Sequence, residues 1–318
     1  MKHLVVVNPW SFIKVSDMDT VIRDIKAYFD SAKGMEYLIY VSRYPRDAVS
    51  VVKKYVRETD KTVRVYSVGG DGILFDCLNG MITFPNAELA VIPYGAANDF
   101  VRAFGEGKAP IFRNIEKQVK AGTIPTDVIN IGSKYILGFC AAGVEAASVL
   151  KYYDTCRKYP FIAKKYGKVL YLAGAPLAIM DKKVTSQEYE VTIDGVRFNG
   201  RYSAINIANN ACYGGDKIPV PMAHPADGFF DIILTKSISR LRLVSVIPAY
   251  IRGKYYKYPE IFKHIRGKAV SIRSESPLQL NTDGESYYDA RLDAKIIPGA
   301  VNIVSPDNLK YLLRRELI

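Results

Sequence analysis

Asp71 has the most suggestive chemical setting in this chain of 318 residues: Gly69, Gly70 and Gly72 surround it, directly after the apolar run Val63–Val68. Three glycines leave backbone N–H groups bare and let a ligand approach the main chain closely, which is how turns cradle phosphates. Residues 73–80 read as a short helix closed by Gly80, so its positive N-terminal end points at the same ligand. A carboxylate placed there suits a metal ion or a ribose hydroxyl. One such turn is a weak signal, since glycine-rich turns after strands are mostly plain turns. A second, Tyr94-Gly95-Ala96-Ala97-Asn98-Asp99, follows the strand-like run Leu89–Pro93 about 26 residues later. Two strand-to-loop transitions of this kind are what an open α/β sheet needs to build a crevice at its strand ends.

The elements that must position these turns are legible around them. Leu4–Val7 is an uninterrupted apolar run of the type buried on both faces of a parallel sheet, ending at Asn8-Pro9. Met18, Val21, Ile22, Ile25 and Phe29 have helical spacing, Tyr37–Val41 reads as a second strand, and residues 47–56 regain the helical period. Strand, helix, strand, helix, strand predicts a doubly wound α/β domain over residues 1–128. Beyond Val128 short strands alternate with turns, and Asp194-Gly195 between apolar stretches is a strong hairpin signal. Residues 129–305 are therefore expected to form a β-sandwich.

Several motifs carry a family resemblance. Val6-Val7-Asn8-Pro9, Gly69-Gly70-Asp71-Gly72 with Asn79-Gly80, the Pro93–Phe100 turn, Ala226-Asp227-Gly228-Phe229-Phe230-Asp231 and Thr282-Asp283-Gly284-Glu285 occur in that order. Together they resemble the catalytic domain of the diacylglycerol kinase and sphingosine kinase superfamily, especially its bacterial soluble lipid kinases. The resemblance spans nearly the whole chain and implies an NAD kinase-like nucleotide domain followed by a lipid-substrate β-sandwich, with a helix over Asn308–Leu317 returning to the first domain within residues 306–318.

The same resemblance implies roles. ATP would contact Asn8, Ser42, Gly69, Gly70, Asp71, Gly72, Ile73, Gly95, Ala96 and Asn98, with Asp71 organising Mg²⁺. Glu285 would be general base toward a lipid hydroxyl, with Asp283 beside it. Asp227 and the main-chain carbonyls of His224 and Phe229 would hold a structural Mg²⁺, an ion that takes only one or two carboxylates. The chain also departs from the pattern: Ile73 and Ala96 stand where the family has threonine, Asp76 where it has glutamate, and Phe12 where it has glycine. Two lost hydroxyls, at about 0.5–1.5 kcal/mol each, predict weakened ATP binding that Ile73→Thr with Ala96→Thr would restore.

Composition fits an ordinary globular protein, 49% hydrophobic, and the length suggests two domains. Of the net charge of +12, +2 falls in residues 1–128 and +10 in residues 129–318, a bias suited to an anionic partner. Two basic, tyrosine-rich tracts, 151–183 and 240–268, suggest a lipid surface, read against plain solvated helical faces. No nucleic-acid-binding signature is found. Four scattered cysteines indicate a reducing cytoplasm. The start of the chain lacks a signal peptide, and the longest uncharged, mainly apolar run, Val169–Met180, is 12 residues, so the expected location is cytoplasmic, peripheral at the inner membrane face. A homodimer is compatible with the sequence. The rival readings are a soluble kinase of the NAD kinase type and a non-catalytic lipid- or nucleotide-binding member of the same fold.

Overall fold

The computed structural model describes residues 1–12, 14–32, 34–159, 178–181, 185–215 and 217–312. The first layer contains β1 (Lys2–Val7), α1 (Val15–Ser31), β2 (Glu36–Val41), α2 (Asp47–Arg57), β3 (Val63–Gly69), α3 (Asp71–Met81) and β4 (Ala87–Pro93). These strands are parallel, in the order β2-β1-β3-β4. The strand β1 explains why an apolar run needs no alternation: Leu4 and Val6 pack into one core and Val5 and Val7 into another, on opposite faces. Two short helices, α4 (Ala109–Arg113) and α5 (Ile115–Lys120), lead to β5 (Gly122–Asn130).

The β-rich part holds β6 (Tyr135–Ile136), β7 (Phe139–Gly143), α6 (Val144–Lys158), β8 (Gln187–Ile193), β9 (Val196–Arg197), β10 (Gly200–Ala208), β11 (Phe230–Lys236), α7 (Arg240–Tyr250), β12 (Phe262–Gly267), β13 (Ala269–Thr282) and β14 (Glu285–Ser305). Strands β12-β11-β10-β7-β13-β14 run in sequence across an antiparallel sheet. Because β8 pairs with both β10 and β13, this sheet curls back on itself around Val191, Ile205, Ile207, Ile272 and Leu280. The predicted hairpin at Asp194-Gly195 is present, with both residues at positive φ (47° and 83°) and Ile193 facing Val196.

The two parts share strands. The start of β14 pairs with β13, while Asn302 and Ile303 near its end lie parallel to β4, and its second half pairs antiparallel to β5. Val128 thus sits inside a strand that runs between the layers. The return to the first domain is made by β14, followed by a short turn over Pro306–Asn308 that delivers Tyr311 into the first core. The expected helix over Asn308–Leu317 is corrected for 308–312, which are not α-helical; the remainder lies outside the described residues.

Candidate active site

The order β2-β1-β3-β4 reverses direction between β1 and β3, the place where an α/β sheet opens a crevice. Asn8, Ser11, Ser42 and both glycine turns meet there. The Ser42 amide donates to the Val7 carbonyl at the end of β1, the Asn8 amide to Val68 at the end of β3, and the Gly70 amide to Ser11 Oγ at 3.2 Å. A Cβ on Gly69 would stand 2.8 Å from Ser11 Oγ and 2.9 Å from Ile73 Cγ2, and one on Gly70 would stand 3.0 Å from the Gly95 Cα. The two turns therefore touch main chain to main chain, which only glycine permits. Asn98, at φ 52°, closes the second turn by accepting from the Gly95 amide and donating to the Gly95 carbonyl.

Three side chains from the expected nucleotide set are otherwise engaged. Ser42 is buried, and its hydroxyl donates to Asp47 Oδ1 at 2.6 Å, while Tyr40 and the Arg43 amide occupy Oδ2. Asn98 is committed to the turn. Ile73 is 2% exposed and packs in the first core, so its side chain is a filler behind Gly69 and faces away from the crevice. Ala96 is exposed at the tip of its turn, and Gly72 is exposed at the start of α3.

Behind the glycine turns lies a set of interacting carboxylates. Burial pushes Asp71 above the usual carboxylate range, against hydrogen bonds from the amides of Phe100, Asp99 and Asn98. Burial and the charge of Asp71 push Asp99 up to about 7, although its carboxylate accepts from the amides of Gly214 (2.8 Å) and Gly215 (3.1 Å). Burial likewise lifts Asp283 to about 7, with Asp71 adding to the effect. Mutually raised carboxyls are a setting that a divalent cation would relieve. Among the described residues no three His, Cys, Asp or Glu side chains form a protein-only metal site. Mg²⁺ does not require one, since it is bound through one or two carboxylates plus phosphate.

Asp283 and Glu285 belong to one tight turn between β13 and β14. Asp283 and Gly284 have positive φ (46° and 90°), and Thr282 pairs with Glu285. The Asp283 carboxylate accepts from the amides of Leu137, Gly138 and Phe139 at 2.8–3.2 Å, fastening the hairpin tip to the start of β7. Glu285, half exposed, accepts from Arg46 Nη2 at 2.8 Å. The same guanidinium pairs with Asp76 and lies 4.4 Å over the ring of Phe75. Arg46 is held for this task by a left-handed backbone (φ 71°) immediately before α2. Sequence reasoning missed it, because nothing but the carboxylate at Asp76 hints at a partner.

At Asp227, expected to hold a structural cation with the carbonyls of His224 and Phe229, the carboxylate is paired with an arginine. That carboxylate takes Arg266 Nη2 at 2.7 Å and the Phe229 amide at 3.1 Å, and Arg266 also stacks over Phe229. His224 Nδ1 accepts from the Ala226 amide. The loop is organised by a residue the sequence did not single out, Asp127, whose two oxygens accept from Gly228 (2.6 Å) and Gly299 (2.8 Å).

The diacylglycerol kinase catalytic domain pattern matches residues 2–131, and the YegS C-terminal NAD kinase beta sandwich-like domain matches residues 140–305. The chain belongs to the YegS-like family, whose beta sandwich-like domain pattern matches just over half of it. A Staphylococcus aureus (strain Newman) protein named "Putative lipid kinase" is 24% identical over 81% of each chain. Two Bacillus anthracis structures, a "putative diacylglycerol kinase" and a second described as a diacylglycerol kinase, share the fold. Their TM-scores are 0.74 and 0.69 and their identities 22% and 19%; each comparison covers 97% of this chain and 98% of the other.

Next to the carboxylates, this family member has an apolar cavity of about 400 Å³ on the outer face of the curled sheet, under α6 and α7. Phe139, Val149, Leu243, Val246 and Phe262 contribute to its walls. Two further lining residues tie it to the site: Gly214, whose amide binds Asp99, and Asn281, two positions before Asp283. Glu285 projects from the opposite face, sharing it with Thr282, Leu280 and Tyr287. No periodicity announces such a cavity, because its walls come from elements far apart in sequence, β7, α6, β10, β11, α7, β12 and β13 among them.

Proposed function

We propose that this chain is an ATP-dependent lipid kinase that transfers the γ-phosphate to a hydroxyl of a diacylglycerol-like or sphingoid lipid. The observation that carries the reading is the contiguity of an apolar cavity with a glycine-lined crevice through Gly214 and Asn281. Such a cavity takes an apolar chain, and glycine turns at a switch point take phosphates. The amide of Gly72, exposed at the start of α3, would orient the nucleotide, with Gly70 and Gly95 allowing it close approach to the main chain. Asp71, with Asp99 behind it, would hold Mg²⁺, whose charge would offset that of the transferring phosphoryl group.

Glu285 takes the proton from the attacking hydroxyl, supported by its place at the tip of a hairpin that Asp283 fixes and Arg46 steadies. A second reading gives that role to Asp99. It is favoured by a pKa raised to about 7 through burial and the charge of Asp71, and by contact with the cavity-lining Gly214.

Membrane docking rests on the exposed face of α7, where Leu241 (87% exposed) and Val244 lie beside Arg240 and Arg242. No helix among the described residues is long and apolar enough to cross a membrane. The basic tract at 160–177 lies outside the described residues. Incubation with γ-³²P-labelled ATP, Mg²⁺ and a bacterial lipid extract tests the proposal: label should enter the chloroform phase. Label that appears only in inorganic phosphate or in NADP would overturn it.

A further inference from the structure

Two aromatic rings stand in water at the strand ends that form the glycine-lined crevice. Trp10, the chain's one tryptophan, and Tyr44 are each 62% exposed, although tryptophan is among the best-covered side chains on average. They leave the sheet at the same offset. Val7 of β1 lies beside Val41 of β2, and Trp10 and Tyr44 each follow three residues later, from strands ~4.8 Å apart.

Both rings are carried on fastened backbone. The Trp10 amide donates to Asn8 Oδ1 at 3.0 Å, Ser11 Oγ accepts from the Gly70 amide, and Phe12 packs against Tyr94 with ring centroids 5.1 Å apart. Trp10 is thus the one exposed residue of the turn 8–12, held between two residues that touch the glycine turn. In the next loop the Asp47 carboxylate accepts from the amides of Arg43 at 2.6 Å and Tyr44 at 3.4 Å.

The direction in which a nucleotide lies follows from what closes the other side of the crevice. In the order β2-β1-β3-β4, the β4 side is filled by the Tyr94–Asp99 turn, which meets Gly70 main chain to main chain, and Asp99 ties that turn to Gly214 on the cavity wall. The phosphate to be transferred faces the cavity, so the ribose and base extend the opposite way, over the ends of β1 and β2.

We propose that Trp10, with Tyr44 beside it, stacks on the base of the donor nucleotide. The inference rests on the lipid kinase reading for its ligand and adds a determinant of donor affinity made of side chains, where the glycine turns offer only main chain. An aromatic face stacks on any base, so the pair supplies affinity without reading the base edge. That suits a crevice in which Ile73 faces the core and the Ser42 hydroxyl is spent on Asp47.

A single tryptophan makes the test direct. The full chain with Mg²⁺ is titrated with ADP while indole emission is excited beyond the nucleotide's absorption, with calorimetry in parallel. ADP should change the emission saturably, over the concentrations at which calorimetry shows binding. Trp10→Ala should weaken ADP at least about fivefold and leave the affinity for pyrophosphate, which has no base, unchanged. Trp10→Phe should recover most of the loss. ADP that binds without altering the emission, or binds Trp10→Ala as tightly as the parent, overturns the inference, and the emission measurement needs no variant to fold. An equal loss for ADP and pyrophosphate would assign Trp10 to holding the turn and overturn it too. An emission change with ADP but no lipid phosphorylated would refute the lipid kinase reading and leave this one standing; lipid phosphorylation with a KM for ATP unaltered by Trp10→Ala would do the reverse.

Discussion

Arg46, from the loop before α2, is ion-paired with Glu285 on the hairpin between β13 and β14, at 2.8 Å. Its other nitrogen pairs with Asp76 on α3, so one guanidinium joins the nucleotide layer to the β-rich layer beside the proposed base. Both partners are over a third exposed (37% and 48%), so the pair should add less than about 1 kcal/mol to stability. Its effect should appear in rate. Arg46→Met is expected to lower kcat about tenfold, and Glu285→Gln about a hundredfold or more. The double variant should be no slower than Glu285→Gln alone, because the two act through one group. Steady-state kinetics of the four proteins checks this, and independent, multiplicative losses would contradict it.

The raised carboxyls predict a pH dependence of stability. Asp99 and Asp283 have folded-state values near 7, against an ordinary value of 3.8. The folded chain keeps protons there that the unfolded chain has released, so their contribution is full below about pH 4 and is lost as pH rises toward 7. His3 runs the other way: burial and the charge of Arg64 lower it to about 4, costing stability as pH falls below 6.5. Asp99→Asn should therefore flatten the decline between about pH 4 and about pH 7 and leave the His3 effect in place. Denaturant titrations across that range should show a smaller difference in the variant than in the parent.

The Asp227–Arg266 pair predicts indifference to chelation. Treatment with EDTA should leave the melting temperature unchanged, whereas Arg266→Met should lower it by ~2–4 °C. Added Mg²⁺ should partly rescue that variant, because the cation can then replace the missing guanidinium. A parent protein that melts earlier in EDTA would show that the loop needs a metal after all.

Burial of Ile73 reverses an expectation. Restoring threonine there would place a hydroxyl in the core, so Ile73→Thr should cost about 1–3 kcal/mol with no gain in ATP affinity. Ala96→Thr, on an exposed tip, should be neutral in stability. Nucleotide titration and thermal unfolding of each single variant separate these outcomes; tighter ATP binding by Ile73→Thr would place residue 73 in the crevice.

How far the sequence could be read depended on range. The apolar runs of β1 and β3, the glycine turns and the Asp194-Gly195 hairpin are local signals, and their physics is local. The contact of Gly70 with Gly95 was implied only by two similar turns at similar strand ends. Arg46, Asp127 and Arg266 could not be recognised, because each acts through a partner far away in sequence: Glu285, Gly299 and Asp227. The equal offset of Trp10 and Tyr44 from Val7 and Val41 is visible only once β1 and β2 are in register. The return of the chain as β14 was not anticipated, because the returning strand is continuous with the sandwich, and residues 308–312, expected to open a returning helix, are not α-helical.

The measurement that bears most directly on the central claim is the dependence of phosphoryl transfer on chain length. With ATP and Mg²⁺ held constant, kcat/KM for 1-O-alkylglycerols should rise with each added methylene, by up to about fourfold (~0.8 kcal/mol), until the cavity is filled, and then level off. A profile flat from short to long chains, or glycerol itself phosphorylated as well as its long-chain ethers, would contradict the assignment of the cavity to the lipid.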